Sequence, residues 1–316
     1  MSELHSFLFD GVPVRGRLVR LTDAWQQVLR RRAANETTGA WPPPVAEMLG
    51  QMLAAGTLMV SGLKFEGALL LQIAGDGPVR LAVAEVHSDL RLRATATLAG
   101  SVPPGATLAE MVNAHGKGRC AVTLDAASRQ PGQQPYQGVA ALHDAEGQAF
   151  TDVAAVIEHY MRQSEQLETA LLLAADERVA AGLMLQRMPQ AAPGASGDED
   201  WRRLVLLARS LRREELLGLD AETLLHRLFW QEKLLRFAPL AGEAGPRFAC
   251  TCSRARAAQM LRGLGEAEVR EVLHERGQVE VGCEFCGQQE RFDAVDVEGL
   301  FAAPAATRPP APETLQ

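Results

Sequence analysis

Hydrophobic and polar residues in positions 1–190 follow two alternating periods, one of two residues and one close to 3.6. The first period is typical of half-buried strands and the second of amphipathic helices. Strand character is found in residues 7–9, 12–21, 68–74, 79–86, 90–98, 120–125 and 136–144. The dipeptide Asp10-Gly11 between the first two segments is typical of a hairpin turn. A mixed α/β unit is therefore predicted.

Three segments of the same region have helical spacing. Residues 23–32 predict a short helix that ends before the prolines at 42–44. Residues 48–63 carry no charge but fall short of the roughly 20 apolar residues that a membrane span needs, so a buried core helix is predicted. Residues 153–161 place apolar side chains on one helical face, with Thr151 or Asp152 as the N-cap.

Two further apolar runs, residues 169–175 and 178–186, fit either a helix or a hairpin. Both runs are short, and the charged pair Asp176-Glu177 interrupts them. We therefore predict a hairpin at this position.

The composition changes after residue 190. Residues 190–197 are rich in Pro, Gly, Ser and Ala, which is typical of a linker. Residues 198 to 237 are dense in charge and strongly helical, with Leu204, Leu207 and Leu211 on one face and a second helix start at Asp220. Such helices bury little apolar surface alone and depend on docking. The Pro/Ala-rich tail, residues 302–316, is predicted to be disordered.

The predicted fold class is α+β, with four parts. They are a mixed α/β core domain (1–190), a charged helical linker (191–245), a small cysteine-containing domain (246–301) and the tail (302–316).

Composition and charge exclude several classes of protein. The chain has 316 residues, of which 47% are hydrophobic, and a net charge of −7, which argues against nucleic-acid binding. The amino terminus lacks a basic segment followed by an apolar one, so we predict no export signal and no membrane association. Nucleotide-binding and hydrolase motifs of the Walker, G-x-S-x-G and H-E-x-x-H types are missing, so no enzyme is predicted.

The five cysteines divide into one and four. Cys120 begins a strand-like run and is predicted to be an inert buried residue. The other four form two close pairs, Cys250-Thr-Cys252 and Cys283-Glu-Phe-Cys286. Four thiolates in two short motifs are the usual way to build a tetrahedral zinc site, so one zinc ion is predicted. His274 lies between the pairs, but the cysteines already fill the tetrahedron.

The spacing of the pairs also suggests redox chemistry. Two residues of extended chain span about 6.6–7.2 Å. A bridge between Cys250 and Cys252 therefore needs a bent backbone, and a strained bridge is readily reduced again. Structural zinc contributes about 10–16 kcal/mol to the folding of small domains. Oxidation of the ligands is therefore predicted to release the metal and unfold the segment, as in an order-to-disorder switch.

Two other functions compete with the switch. In the first, the zinc ion is a constitutive staple of a protein-binding module, and the activity of that module does not depend on redox state. In the second, the protein is a thiol–disulfide oxidoreductase that uses the motif Cys283-Glu-Phe-Cys286. This motif lacks the clear βαβ context that is typical of such enzymes.

Residues 248–297, which hold both cysteine pairs, closely resemble the zinc and redox module of the redox-regulated holdase chaperones, the thirty-three-kilodalton heat-shock-protein family of bacteria. Upstream segments are similar to that family in the same order. They are residues 8–21, 63–85, 136–139, 163–169 and 182–189. The resemblance covers nearly the whole chain.

The resemblance implies a cytoplasmic, ATP-independent holdase that holds one zinc ion and is inactive when reduced. It implies that oxidative stress forms two disulfides, Cys250–Cys252 and Cys283–Cys286, with loss of zinc. The linker and the cysteine domain then unfold, and the protein dimerises and binds unfolding client proteins. All four cysteine positions match the family pattern.

The chain departs from the family pattern away from the cysteines. Glu290 stands where an aromatic residue is common, and Asp89-Leu90 replaces a usual Asp-Gly. The stretches 33–44 and 190–197 are longer than is typical.

Overall fold

The computed structural model describes residues 1–35, 38–128, 133–189 and 195–302. The chain divides into two compact units, Met1–Cys250 and Thr251–Gln316. The linker stretch 190–197 and the tail 302–316 lie largely outside the described residues. The division into core, linker, cysteine domain and tail stays a prediction.

The first unit contains strands and helices in alternation. In chain order, the strands are β1 Glu3–Phe9, β2 Val14–Leu21, β3 Gly67–Ala74, β4 Val79–His87, β5 Arg91–Leu98, β6 Arg119–Ala126, β7 Tyr136–Ala141, β8 Thr169–Ala175, β9 Ala180–Arg187, β10 Leu234–Arg236, β11 Leu240–Ala241 and β12 Arg247–Phe248. The helices are α1 Asp23–Ala33, α2 Pro43–Val60, α3 Leu108–Val112, α4 Val153–Gln163, α5 Ala195–Arg209, α6 Arg213–Gly218 and α7 Ala221–Phe229.

These strands form two sheets. The first has the order β10-β1-β2-β9-β8, and β11 also pairs with β1. The second has the order β12-β5-β4-β3-β6-β7. All pairings are antiparallel except that of β12 with β5, which is parallel. The α+β fold class predicted from the sequence is confirmed.

Helix α2 lies in the main hydrophobic core. Its residues Leu49, Leu53 and Leu58 are fully buried, and the same core contains residues of both sheets, such as Val19 and Leu69. A helix that is apolar on nearly all sides is stable only inside a protein or a membrane. Among the described residues, no helix is long and apolar enough to span a bilayer. The predicted core helix is confirmed.

The ambiguous runs are also resolved. β8 and β9 form an antiparallel hairpin, as predicted, and the Asp176 carboxylate accepts backbone hydrogen bonds in its turn. The N-cap of α4 is Asp152, whose side chain accepts a hydrogen bond from the backbone N–H of Ala155 at 2.9 Å.

Helices α5, α6 and α7 dock on the first sheet through a group of buried side chains that we call the linker cluster. Its residues are Phe7, Phe9, Val14, Leu18, Ala170, Ala174, Ala181, Leu183, Leu185, Leu204, Ala208, Leu211, Leu216, Ala221, Leu224, Leu225, Leu228 and Phe229. The predicted helix start at Asp220 is confirmed, because its carboxylate caps α7 through the Thr223 N–H.

The predicted extension of these helices to residue 237 is wrong. Helix α7 ends at Phe229, and Leu234–Arg236 forms the short strand β10 against the outer edge of β1. An edge strand presents unpaired N–H and C=O groups, and pairing with β10 satisfies them. The hydrogen bonds with β1 therefore outweigh the helix propensity of these residues.

The second unit is small. Its elements are α8 Arg254–Leu264, α9 Glu266–Arg276, β13 Val279–Gly282, β14 Gln289–Phe292 and α10 Ala294–Phe301. Its buried core consists of Ala258, Leu261, Val269, Val279, Phe292 and Val297. So few buried side chains supply little folding free energy compared with the entropy lost on ordering the chain.

Leu90, in the turn between β4 and β5, adopts φ +64° although it is not glycine, and its side chain is 3% exposed. The left-handed region costs a non-glycine residue roughly 1–2 kcal/mol, whereas truncation of a buried leucine to alanine costs about 2–5 kcal/mol. We expect both Leu90→Ala and Leu90→Gly to lower the free energy of unfolding in urea. We expect the glycine variant to be at least as stable as the alanine variant. If the alanine variant were clearly more stable than the glycine variant, the left-handed backbone at Leu90 would not be a source of strain.

Candidate metal centre

Cys250 is placed by the second sheet of the first unit. Strand β12 pairs in parallel with β5, with Phe248 opposite Leu92. The backbone N–H of Ala249 donates to the carbonyl of Leu92 at 3.1 Å, which continues the ladder for one residue. Cys250 therefore leaves the sheet from a fixed position at its edge.

Cys252 is placed by the start of a helix. The next residue, Ser253, is the N-cap of α8, and its hydroxyl accepts a hydrogen bond from the backbone N–H of Arg256. A serine N-cap satisfies a helix N–H that would otherwise lack an intrahelical partner. The helix start thus fixes the backbone that carries Cys252.

Cys283 and Cys286 lie in the turn between β13 and β14. The N–H of Cys283 donates to Gln288 O at 2.9 Å, and the N–H of Gly287 donates to Cys283 O at 2.8 Å. Gly287 has φ +73°, a conformation that glycine adopts without steric cost. The tight turn brings both cysteines of the C-x-x-C motif to one side of the hairpin.

The four sulfur atoms come together. The Sγ atoms of Cys250, Cys252, Cys283 and Cys286 all lie within 4.8 Å of one another. The Sγ atoms of Cys252 and Cys286 are 3.3 Å apart, well beyond the roughly 2.0 Å of a disulfide bond. Cys286 is buried, and the other three cysteines are half-buried.

The arrangement fits a tetrahedral metal ion. Four thiolates about 2.3 Å from a zinc ion lie roughly 3.8 Å from one another, which agrees with the observed grouping. Among the described residues, the group of possible metal ligands contains these four cysteines and does not contain His274. The soft sulfur donors favour zinc over the hard cations calcium and magnesium. The structure is thus consistent with a metal site formed by four sulfur ligands.

Arg93 of β5 contacts this centre through Cys250. Its Nη1 atom donates to Cys250 Sγ at 3.6 Å, and its Nη2 atom donates to Glu85 Oε2 at 2.6 Å. Burial works to lower the pKa of Arg93, but the hydrogen bonds and charge interactions with Glu85 and Cys250 outweigh it and raise the pKa. A permanent cation therefore lies beside one sulfur of the cluster.

The sequence pattern missed Arg93. In the alternating segment 90–98, Arg91 and Arg93 both occupy the polar positions of an ordinary half-exposed strand. Only the pairing of β12 with β5 brings one of them to the cysteine cluster.

Cys120 takes no part in this cluster. It is completely buried in the main core on β6, opposite Ile73. Burial raises the pKa of its thiol to about 12, so the reactive thiolate is disfavoured. The predicted burial of Cys120 is confirmed.

Comparison with known proteins supports a family assignment. A model of the Hsp33 protein family matches residues 2–293. The chain belongs to the Hsp33 family.

Relatives are similar over almost their whole length. The 33 kDa chaperonin of Chromobacterium violaceum is 44% identical over 300 residues, which cover 95% of this chain and 93% of the relative. The 33 kDa chaperonin of Azotobacter vinelandii is 42% identical, with 96% and 97% covered.

A solved Hsp33 structure shares the fold. The 33 kDa chaperonin of Thermotoga maritima superposes with a TM-score of 0.72 at 20% identity and covers 94% of this chain and 97% of that one. The family resemblance noted in the sequence is thus confirmed. Membership of this family supports a chaperone function for the chain.

Proposed function

We propose that this Hsp33 chain is an ATP-independent holdase that is switched by oxidation. The observation that carries the proposal is the grouping of four cysteine sulfurs within 4.8 Å in a chain of a chaperone family. In the reduced protein, Cys250, Cys252, Cys283 and Cys286 hold one zinc ion, whose charge stabilises the thiolates and whose ligand bonds staple the second unit.

Oxidation acts on the ligands themselves. Four thiolates lose four electrons and form two S–S bonds, Cys250–Cys252 and Cys283–Cys286. Two molecules of hydrogen peroxide accept these electrons together with four protons and leave as four molecules of water. Disulfide sulfurs are poor metal ligands, so the cysteines no longer hold the ion.

The second unit then loses its main source of folding free energy. Its hydrophobic cluster contains only six buried residues, whereas structural zinc contributes about 10–16 kcal/mol in small domains. We propose that unfolding continues into the linker segment and exposes the linker cluster. Exposed apolar surface of this kind binds other apolar chains. The clients are unfolding proteins, the active form is a homodimer, and the protein acts in the cytoplasm without catalysing a reaction.

Zinc content and client protection should change together across an oxidant titration. Reduced protein is expected to contain about one zinc ion per chain and to leave the light scattering of a heat-denatured model enzyme unchanged. After hydrogen peroxide at raised temperature, zinc should appear in solution and the scattering should fall. Treatment with dithiothreitol and zinc is the control and should restore the inactive form. Oxidised protein that keeps its metal and never slows aggregation would contradict the switch.

A further inference from the structure

The contact between Arg93 and Cys250 depends on two neighbouring strands. Phe248 of β12 stands opposite Leu92 of β5, so Cys250 and Arg93 both follow this pair along parallel strands. The hydrogen bond from Ala249 to Leu92 holds the backbone in register just before the cysteine. The 3.6 Å contact between the guanidinium and the sulfur is therefore set by backbone pairing as well as by side-chain choice.

Arg93 is itself held from the other side. Glu85 stands opposite Arg93 in the pairing of β4 with β5, and the two side chains are 10% and 14% exposed. The second oxygen of Glu85 contacts Nε2 of His87 at 2.8 Å. The guanidinium is thus fixed between a nearly buried carboxylate and the cysteine sulfur.

Stability alone is a weak explanation for this ion pair. A buried pair loses hydration, and replacing it with apolar residues is often neutral or stabilising. Here the pair directs a cation at one sulfur of the four-cysteine cluster. Four thiolates exceed the charge of one divalent ion by two negative charges, so a neighbouring cation and donor stabilises the ligand set.

We propose that Arg93 is a positioning residue of the metal centre, which holds the Cys250 sulfur in place for zinc and offsets its negative charge. This inference rests on the proposed binding of zinc by the four cysteines. Groups that hydrogen-bond to metal ligands orient them and tune them, and their loss typically weakens metal affinity about 10–100-fold. Glu85 acts indirectly on the metal centre, because its carboxylate holds the Arg93 guanidinium in place.

The test is the zinc affinity of the reduced full-length protein, measured by competition with a chromophoric chelator. Arg93→Met is expected to raise the zinc dissociation constant about 10–100-fold. Arg93→Lys keeps the charge but cannot bridge Glu85 and Cys250 with a planar fork, so an intermediate value is expected. Arg91→Met is the matched control, because Arg91 lies two residues away on the same strand and pairs with Asp89. Its dissociation constant should stay within about two-fold of the wild type, since it touches no ligand.

The double variant Glu85→Gln/Arg93→Met separates positioning from damage to the core. It leaves no unpaired buried carboxylate, so its thermal melting should recover toward wild type while its zinc affinity stays low. The cobalt-loaded protein gives a second readout, because its thiolate charge-transfer and ligand-field bands report the ligand geometry. They should change in Arg93→Met and not in Arg91→Met.

Two results would overturn the role of Arg93. One is wild-type zinc affinity in Arg93→Met, and the other is recovery of affinity in the double variant, which would assign the loss to the unpaired Glu85. Neither measurement uses oxidant or client protein. A wild-type chain that binds zinc but shows no oxidative switch would therefore refute the proposed function and leave this inference standing.

Discussion

Replacing Cys286 with serine is expected to abolish stoichiometric zinc binding and to unfold the second unit. Cys286 is buried, and its sulfur lies 3.3 Å from that of Cys252, so it belongs to the interior of the cluster. A serine hydroxyl stays protonated at neutral pH and cannot replace the thiolate. Loss of structural zinc removes about 10–16 kcal/mol, which a core of six residues cannot supply.

Zinc analysis and hydrogen exchange measure this effect. We expect metal content to fall well below one equivalent and amide protection to disappear from residues 251–302. Cys120→Ala is the matched control, since Cys120 is buried on β6 away from the cluster. The control should keep its zinc and lose only about 1–2 kcal/mol of stability through the small cavity. A Cys286→Ser protein with full zinc content and protected amides would refute the four-cysteine site.

The same variant separates the switch from a constitutive zinc staple. If zinc only staples a binding module, Cys286→Ser should lose its capacity to bind other proteins. If the centre is a switch, the variant should suppress client aggregation without oxidant, because its second unit is already unfolded. Client light scattering under reducing conditions distinguishes the two results.

Phe229→Ala is expected to cause a large loss of stability in the first unit and to loosen the linker helices. Phe229 is 2% exposed and packs edge-on against Phe9, with ring centroids 5.1 Å apart. It also contacts Phe7, with centroids 6.1 Å apart. Truncation of a buried phenylalanine costs about 3–5 kcal/mol. The loss falls where α7 meets β1, so docking of the linker helices is the interaction that weakens.

Trp230→Ala is the neighbouring control, because the Trp230 side chain is 66% exposed. Its free energy of unfolding in urea should change by no more than about 0.5 kcal/mol. Reduced Phe229→Ala protein should show faster hydrogen exchange in α5, α6 and α7 and should suppress client aggregation in part. Equal stability of the two variants would show that the linker cluster does not hold these helices.

The periodic part of the fold was predictable because it depends on local burial. Alternating residues such as Leu69, Leu71 and Ile73 point into the core from one face of β3, and their period of two is visible in the chain. The uncharged run of α2 was predictable for the same reason, since a helix buried on nearly all sides needs apolar residues all round. Asp152 and Asp220 marked helix starts through short-range capping.

The pairing partners of short strands were not predictable. Leu234–Arg236 sits in a charged, helix-favouring segment and becomes a strand because β1 offers an unpaired edge. Strand β12 is only two residues long and carries no pattern of its own. Its place beside β5 depends on contacts between residues far apart in sequence.

The sequence by itself predicted the four candidate metal ligands, because two closely spaced cysteine pairs are the usual form of a four-thiolate site. It also separated Cys120 from them, and burial in the core confirms that separation. Only the tertiary structure decided which other side chains meet the sulfurs. Arg91 and Arg93 are equivalent in the strand pattern, yet the parallel pairing of β12 with β5 places Arg93 against Cys250 while Arg91 pairs with Asp89. Long-range backbone pairing fixes such contacts, and no local period records them.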